Sequence, residues 1–390
     1  MPVASVKLAL VTETFPPEIN GVAMTLGNLA AGLAARDFAV TVHRPRQASE
    51  AVPSAPGSPP KAPAPYREEL YPGLPIPGYP LLRLGLPARG RLLRAWRAER
   101  PDVVHVATEG PLGWSALSAA DALGIPLASS FHTNFHSYSK HYGFNFLTRP
   151  ALAYLRWFHN RTRITLSPTD ALNKELTQDG FLGMRLLSRG VDTTHFTPAK
   201  RAHDLRATWG AGPDDPVFLH VSRVAAEKNY DLLFRAWSEV RAANPRARFV
   251  LVSDGPLRKK LQRAHPWTTF TGFVDRDSLA RHYASADVFV YPSQTETFGN
   301  VVTEAMASGL AVCAYDYAAA ARYLRHRENG WLAPFGDEAA LLAGTHALAS
   351  DTALRDTLRQ RARATAESIP WSNVIDGFAR DLREVAASSS

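Results

Sequence analysis

The stretch SQTETFGNVVTEA, residues 293–305, follows the apolar run ADVFVYP, residues 286–292. The apolar run is short and reads as a strand buried on both faces. GNVVTEAMASG, beginning at Gly299, reads as a helix that ends near Gly309. This places Glu296 in the loop at the strand's carboxyl end and Glu304 about one turn into the helix. The N–H groups of Phe298, Gly299 and Asn300 fall at the helix start, where backbone donors lack intrahelical partners and attract anions. Gly299 lets a ligand approach the backbone closely. Carboxylates accept paired hydrogen bonds from vicinal hydroxyls. One glutamate can then hold a sugar ring and the other a ribose, with phosphates between them.

Working outward, the same alternation recurs along the chain. Strand-like runs VKLALV, AVTVH, DVVHVA, PLASSFH and RITLS in the first half match VFLHVS, RFVLVSD, TTFTGFV, DVFVYPS and AVCAYD in the second. Helix-period segments separate them, such as GVAMTLGNLAAGLAARDF with Val22, Leu26, Leu29 and Leu33 on one face. The pattern predicts an α/β protein with two doubly wound parallel-sheet domains. The change falls in the polar, turn-rich residues 197–216, so domains over 1–198 and 199–370 are expected. An amphipathic C-terminal helix over 371–387 is expected to cross back to the first domain. Ligands of such sheets lie beyond the strands' carboxyl ends, which puts the expected site in a cleft between the domains. Residues 47–80 hold ten prolines and read as a long irregular loop.

The 390 residues suit two domains. A hydrophobic share of 45% with 21% charged residues is that of a globular protein. No apolar run reaches membrane-spanning length, and the start carries no signal-like segment. The expectation is a cytoplasmic protein. Cys313 lies in the apolar run LAVCAYD and reads as a core thiol. The net charge of +8 is uneven: residues 1–200 carry 21 Lys and Arg against 14 Asp and Glu, and the remainder 23 against 22. A basic first half points to an anionic partner.

Three further motifs bear on chemistry. In HVSRVAAEKNYDLL, Arg223 and Lys228 fall at a strand end and in the loop before a helix. Two cations there can clamp a diphosphate and help it leave. SDGP, residues 253–256, marks a tight turn between strand and helix. TETFPPEINGVAMTL brings Gly21 to a helix start, again a phosphate-type position. No GxGxxG or Walker sequence occurs, and no Cys/His cluster has zinc spacing. The DRD of residues 275–277 sits in a polar turn and reads as solvated rather than metal-binding.

In order, PPEINGV, SFHTNF, SRGVDTTHFTP, VSRVAAEKNYDLL, SDGP, GFV and ETFGNVVTEAMASG resemble the retaining family 4 glycosyltransferases over roughly residues 5 to 385. The resemblance implies the GT-B fold, a pair of Rossmann-like domains. It implies that Arg223 and Lys228 bind the donor diphosphate and that Glu304 holds the ribose hydroxyls. Glu296 would hold the donor hexose, helped by backbone at Phe298, Gly299 and Asn300. Backbone around Phe273 and Val274 would meet the base, Gly21 would border the phosphate, and His132 would stand near the transferred sugar as a catalytic group with Glu296, Arg223 and Lys228. Two departures stand out: Asn20-Gly21 where many relatives have two glycines, and Ser253 where a glycine often precedes Asp-Gly-Pro. The implied reaction retains the anomeric configuration, the leaving phosphate helping to deprotonate the acceptor, with cations in place of a metal and no cofactor.

HSYSKHYGFNFLTRPALAYLRWFHNRTR, residues 136–163, interleaves aromatics with Lys140, Arg149, Arg156, Arg161 and Arg163. Such segments can lie on an anionic bilayer. The expectation is therefore hexosyl transfer from a UDP- or GDP-sugar to a hydroxyl of a membrane lipid such as diacylglycerol or phosphatidylinositol, by an enzyme peripheral to the inner membrane face. The alternatives are a mannosyltransferase acting on a soluble or lipid-linked glycan, a nucleotide-sugar epimerase, and a non-catalytic binding protein. A basic and aromatic composition also fits nucleic acid, but no RNA- or DNA-binding motif is present, so no nucleic-acid partner is expected.

Overall fold

The computed structural model describes residues 5–18, 20–47, 50, 64–76, 79–132 and 145–388. The chain divides into two compact units, residues 1–189 with 372–390, and residues 190–371.

Unit 1 contains β1 (Val6–Val11), α1 (Gly21–Ala34), β2 (Phe38–Pro45), β3 (Arg67–Tyr71), the hairpin β4 (Gly73–Ile76) and β5 (Tyr79–Gly85), and α2 (Arg89–Ala98). It continues with β6 (Val103–Val106), α3 (Pro111–Leu123), β7 (Leu127–Ser130), α4 (Asn145–His159), β8 (Ile164–Ser167), α5 (Asp170–Gln178) and β9 (Met184–Leu186). Seven strands form one sheet in the order β3-β2-β1-β6-β7-β8-β9. The pairings are parallel throughout. β6, β7 and β8 are buried at every position, as strands covered by helices on both faces must be.

Unit 2 repeats the plan. It runs through α6 (His203–Thr208), β10 (Val217–Val221), α7 (Tyr230–Ala243), β11 (Arg248–Val252), α8 (Arg258–Ala264), β12 (Thr269–Gly272) and α9 (Arg276–Ser285). It ends with β13 (Val288–Tyr291), α10 (Asn300–Ala307), β14 (Ala311–Tyr315), α11 (Ala318–Tyr323), β15 (Trp331–Ala333), α12 (Glu338–Ser350) and α13 (Thr352–Glu367). Its sheet order is β12-β11-β10-β13-β14-β15. Strand order therefore reverses between β1 and β6 in one unit and between β10 and β13 in the other, and those are the switch points where such sheets hold ligands. Cys313 lies at the centre of β14, where burial pushes its thiol up to about 12.

The last helix, α14 (Trp371–Ala387), packs on unit 1 with Ile375, Phe378, Ala379, Leu382 and Val385 buried at helical spacing. Phe378 meets the His105 ring edge-on at 5.0 Å. Arg36 binds Asp376 at 2.5 Å, and Arg185 binds Asp381 at 2.8 Å and Glu384 at 2.5 Å.

Two expectations need correcting. The break between units falls at residues 189–190 rather than 198–199, because Val191 bridges to Pro370 and Phe196 sits in the unit 2 core. Within residues 47–80, β3 and β4 replace part of the expected loop. REELY pairs along β2 from Thr41–Arg67 to Pro45–Tyr71, and the buried Tyr71 hydroxyl meets His43 Nδ1 at 2.9 Å. Pro72 and Pro75 lie beside or in a two-stranded ribbon, where a missing N–H is tolerated. Residues 48–49, 51–63 and 77–78 of the segment are outside the described residues.

At the unit 1 switch point, Glu13 follows β1 and is 8% exposed. α3 begins after Gly110, which offers no side-chain cap. The Glu13 carboxylate takes that role from a distance, accepting from Leu112 N at 2.9 Å and from Gly85 N. A Cβ at Gly110 would lie 2.4 Å from Glu13 Oε1, so any side chain there would displace the Glu13 carboxylate from its backbone donors. Burial raises the Glu13 carboxyl to about 7 against the pull of these backbone donors. Glu13→Ala is expected to cost about 2–3 kcal/mol by uncapping α3 and stranding buried donors. Urea denaturation checks this, and a loss within experimental error would refute the cap. In unit 2, Ser253 holds φ +111, a region glycine enters without a Cβ penalty, while its N–H bonds Gly272 O at 3.0 Å. Ser253→Gly is expected to stabilise by about 0.5–1 kcal/mol, part of the relieved strain being offset by glycine's larger unfolded-state entropy. An unchanged or lowered urea midpoint would count against strain at this position.

Candidate active site

In unit 2, β10 and β13 lie side by side and both end at the switch point. Arg223 and Lys228 follow β10, and Glu296 follows β13. Glu296 Oε1 is the focus of three donors: Lys228 Nζ, the Tyr291 hydroxyl, and Ser293 Oγ at 2.9 Å. The Glu296 backbone carbonyl accepts from the Tyr317 hydroxyl at 3.0 Å, so the loop is fixed through main chain and side chain together. Lys228 Nζ also reaches Thr295 O at 3.3 Å. The Lys228 and Glu296 side chains are each 14% exposed, mostly dry yet open to a ligand. Burial, reinforced by the Glu296 charge, holds the Tyr291 hydroxyl far above its ordinary pKa, so it remains a donor.

Beneath this pair lies a polar column. His220 Nδ1 meets Val290 O at 2.8 Å, which fixes the proton on that nitrogen. Nε2 then accepts from Ser222 Oγ at 2.8 Å, and Ser222 Oγ meets the Tyr230 hydroxyl at 2.9 Å. Burial lowers His220 to about 4, so the ring is neutral. Arg223 binds Glu227 at 2.6 Å, with Glu227 buried and Arg223 more than a third exposed. Burial opposes ionisation of Glu227, yet the Arg223 hydrogen bond and charge leave its carboxyl below the usual range. Both cations expected at a diphosphate thus stand beside carboxylates already.

Gly299 caps α10 at φ +88, with no side-chain cap on the helix. A Cβ there would stand 3.6 Å from the Glu296 side chain, an ordinary contact, so the positive φ rather than space favours glycine. Phe298 is buried in the unit 2 core, its carbonyl accepting from Ala319 N at 2.8 Å, while Asn300 opens the helix. Glu304, one turn on, accepts from the Tyr283 hydroxyl at 3.1 Å. It keeps some exposed surface, but burial raises its carboxyl to about 7. Val274 packs against the core after β12, and the neighbouring Phe273 is 74% exposed. Asp275 caps α9 through Ser278 N at 2.8 Å, which accounts for the DRD turn.

Gly21 and His132 belong to unit 1. Gly21 starts α1, where Asn20 accepts from Ala23 N at 2.8 Å, so the asparagine that replaces a second glycine serves as the cap. His132 follows β7 and is buried. Arg189 donates to its Nδ1 at 2.8 Å, which leaves the proton on Nε2, 2.7 Å from Ser130 Oγ. Ser130 Oγ in turn meets His105 Nε2 at 2.9 Å. Burial, with Arg189 alongside, holds His132 well below its ordinary pKa. Its ring is a neutral, internally bonded group.

The residues expected from unit 2 thus fall at one switch point, except Phe273 and Val274, which follow the edge strand β12. Sequence reading missed Tyr291, Ser293 and Tyr283, which orient the two glutamates, and Arg189, which fixes His132. A tyrosine ending an otherwise apolar buried strand was the available signal for Tyr291, since a buried hydroxyl needs a partner. Among the described residues, no group of three or more His, Cys, Asp or Glu is placed to hold a metal ion.

Two doubly wound sheets of this order make the fold GT-B. Over 97% of this chain and all of the other, it aligns with the Anabaena protein HepE, solved with UDP and glucose, at a TM-score of 0.76 and 19% identity. Residues 19–195 match the family described as Glycosyltransferase Family 4, and residues 215–351 match Glycosyl transferases group 1. A GDP-mannose-dependent alpha-mannosyltransferase of Mycobacterium tuberculosis is 36% identical over 341 residues, covering 85% of each chain. An alpha-monoglucosyldiacylglycerol synthase of Acholeplasma laidlawii is 27% identical over 329 residues, 78% of this chain and 79% of that one. The chain belongs to glycosyltransferase family 4.

Proposed function

We propose that the protein transfers a hexosyl group, with retention, from a UDP- or GDP-sugar to a hydroxyl of a membrane lipid such as diacylglycerol or phosphatidylinositol. The convergence of Lys228, Tyr291 and Ser293 on Glu296 at the switch point carries this reading. It presents one fixed carboxylate for sugar hydroxyls beside cations for a diphosphate. The mannosyltransferase relative makes GDP-mannose the first donor to test, and the glucosyldiacylglycerol synthase supports a lipid acceptor. A mannosyltransferase acting on a glycan stays as the second reading, favoured by the same relative.

In the proposed reaction the bond between the sugar's anomeric carbon and the diphosphate oxygen breaks. The acceptor oxygen bonds that carbon on the same face, and its proton passes to the departing phosphate. Arg223 and Lys228 spread the charge developing on the diphosphate, so no metal is required. Glu296 orients the hexose and Glu304 the ribose. His132, in unit 1, is a neutral ring with both nitrogens bonded internally and takes no proton in this reaction.

Nucleotide release from UDP- and GDP-sugars, with and without vesicles containing diacylglycerol or phosphatidylinositol, tests the reading when the lipids are weighed by mass spectrometry. A hexosyl lipid formed from one donor supports it. Turnover without a lipid product moves the acceptor to a soluble molecule, and sugar isomerisation without transfer revives the epimerase. Glu296→Ala is expected to abolish transfer while nucleotide binding largely survives, and full activity would remove Glu296 from the site. Arg223→Ala with Lys228→Ala is expected to weaken nucleotide diphosphate binding, and unchanged affinity would remove the clamp.

The raised Glu304 carboxyl adds a pH signature. Ribose hydroxyls donate to the carboxylate but not equally to the neutral acid, so nucleotide affinity is expected to rise with pH through about 7. Between pH 6 and pH 8 the gain approaches about tenfold for a single ionisation near neutrality. Calorimetry on the wild type and Glu304→Gln checks this, and an equal pH dependence in both would remove Glu304 as its source.

A further inference from the structure

In unit 1, α2, α3 and α4 form a layer on one face of the sheet. Leu92 and Trp96 of α2, Leu112 and Ala116 of α3, and Phe158 of α4 share one core with β1 and β6. Arg89 of α2 reaches Ser118 of α3 at 2.9 Å, and Arg161 after α4 binds Asp121 of α3 at 2.5 Å. The outward side of this layer is uneven in composition. Trp114, Tyr154 and Trp157 are 42%, 39% and 45% exposed, and Leu182 is 63% exposed. Tyr154 and Trp157 stack at 6.1 Å, and the Arg161 guanidinium lies over Trp157 at 5.3 Å. Trp114 stands two turns before Asp121 on the same helix face. Leu182 adjoins the end of α4, its N–H bonded to Asn160 Oδ1 at 2.9 Å.

Asp121 beside these aromatics is paired with Arg161, and other arginines on and beside these helices lack such a partner. Arg94, Arg97, Arg149 and Arg163 are exposed and form no ion pair with a described residue. Arg156 spends a donor on the neutral carbonyl of Asp179 at 3.1 Å. On α14, by contrast, Asp376, Asp381 and Glu384 are all paired with arginines. Exposed tryptophans with a wet edge and an apolar body suit a boundary between water and hydrocarbon. Unpaired guanidinium groups suit phosphate headgroups. Among the described residues no helix is long and apolar enough to cross a membrane, so any hold on a bilayer by these helices is from its surface.

We propose that the α2–α3–α4 face docks on an anionic lipid bilayer, with Trp114 and Trp157 at the headgroup boundary and the arginines on headgroup phosphates. The proposal deepens, and rests on, the lipid-acceptor reading. The full chain is sedimented, without donor, with vesicles of phosphatidylglycerol mixed into phosphatidylcholine and with phosphatidylcholine alone. Trp114→Ser with Trp157→Ser, and separately Arg94→Gln with Arg97→Gln, are compared with the wild type. Each is also assayed for transfer to a water-soluble, short-chain acceptor, which reports folding and chemistry apart from docking. The wild type is expected to bind the anionic vesicles selectively, and each double variant to bind about tenfold or more weakly with soluble transfer unchanged. No binding by the wild type, or equal binding by both variants, overturns the proposal. Sensitivity to the arginines alone also overturns it, because that marks a plain polyanion surface open to nucleic acid. Selective docking through these residues without transfer to any lipid upholds the surface and removes the lipid-acceptor reading. Transfer to lipid with docking untouched in both variants does the reverse.

Discussion

The Lys228–Glu296 pair sets the terms for the rest of unit 2. A lysine and a glutamate this little exposed lose much of their hydration, and their mutual attraction alone seldom repays that cost. The chain meets it with hydrogen bonds: Tyr291 and Ser293 on the carboxylate, and Thr295 O on the ammonium. Each partner sits at the carboxyl end of a strand whose helices leave that end uncovered. The pair is therefore better read as a device for holding a polar surface in one geometry than as a source of stability. In the proposed reaction, a rigid carboxylate and a cation held ready would lower the reorganisation needed when charge develops on the leaving diphosphate.

Unit 1 answers the same constraint differently. Its switch point also carries a buried carboxylate, but Glu13 is given over to backbone donors at Gly85 and Leu112. There the acid is structural, closing the start of α3, and the neighbouring His105–Ser130–His132–Arg189 chain is bonded end to end. Arginine cannot accept, so Arg189 dictates the proton position on His132 and, through Ser130, on His105. A histidine this constrained offers shape rather than a proton. The two units thus share a sheet plan while using the buried carboxylate at the switch point differently.

Most of the architecture was legible because parallel strands announce themselves as apolar runs separated by helical periods. The glutamate pair was legible because a strand, a glycine and a helix start fix where side chains can point. What escaped was whatever depends on distance in sequence. Glu13 caps a helix that begins about a hundred residues later, and Arg189 reaches back to His132; no local pattern encodes either contact. REELY was hidden because it holds three charges and stands among prolines, yet pairing with β2 overrides that composition. Ser253 looked like a departure from a glycine position, and its φ of +111 keeps the glycine-like backbone while bearing a side chain.

The proposed transfer retains the anomeric configuration, and the product itself reports on that most directly. Proton NMR of the glycoside formed from an α-linked nucleotide sugar reads the anomeric configuration. An α-linked product is the expected result. A β-linked product would contradict same-face substitution, and with it the roles proposed for Arg223, Lys228 and Glu296.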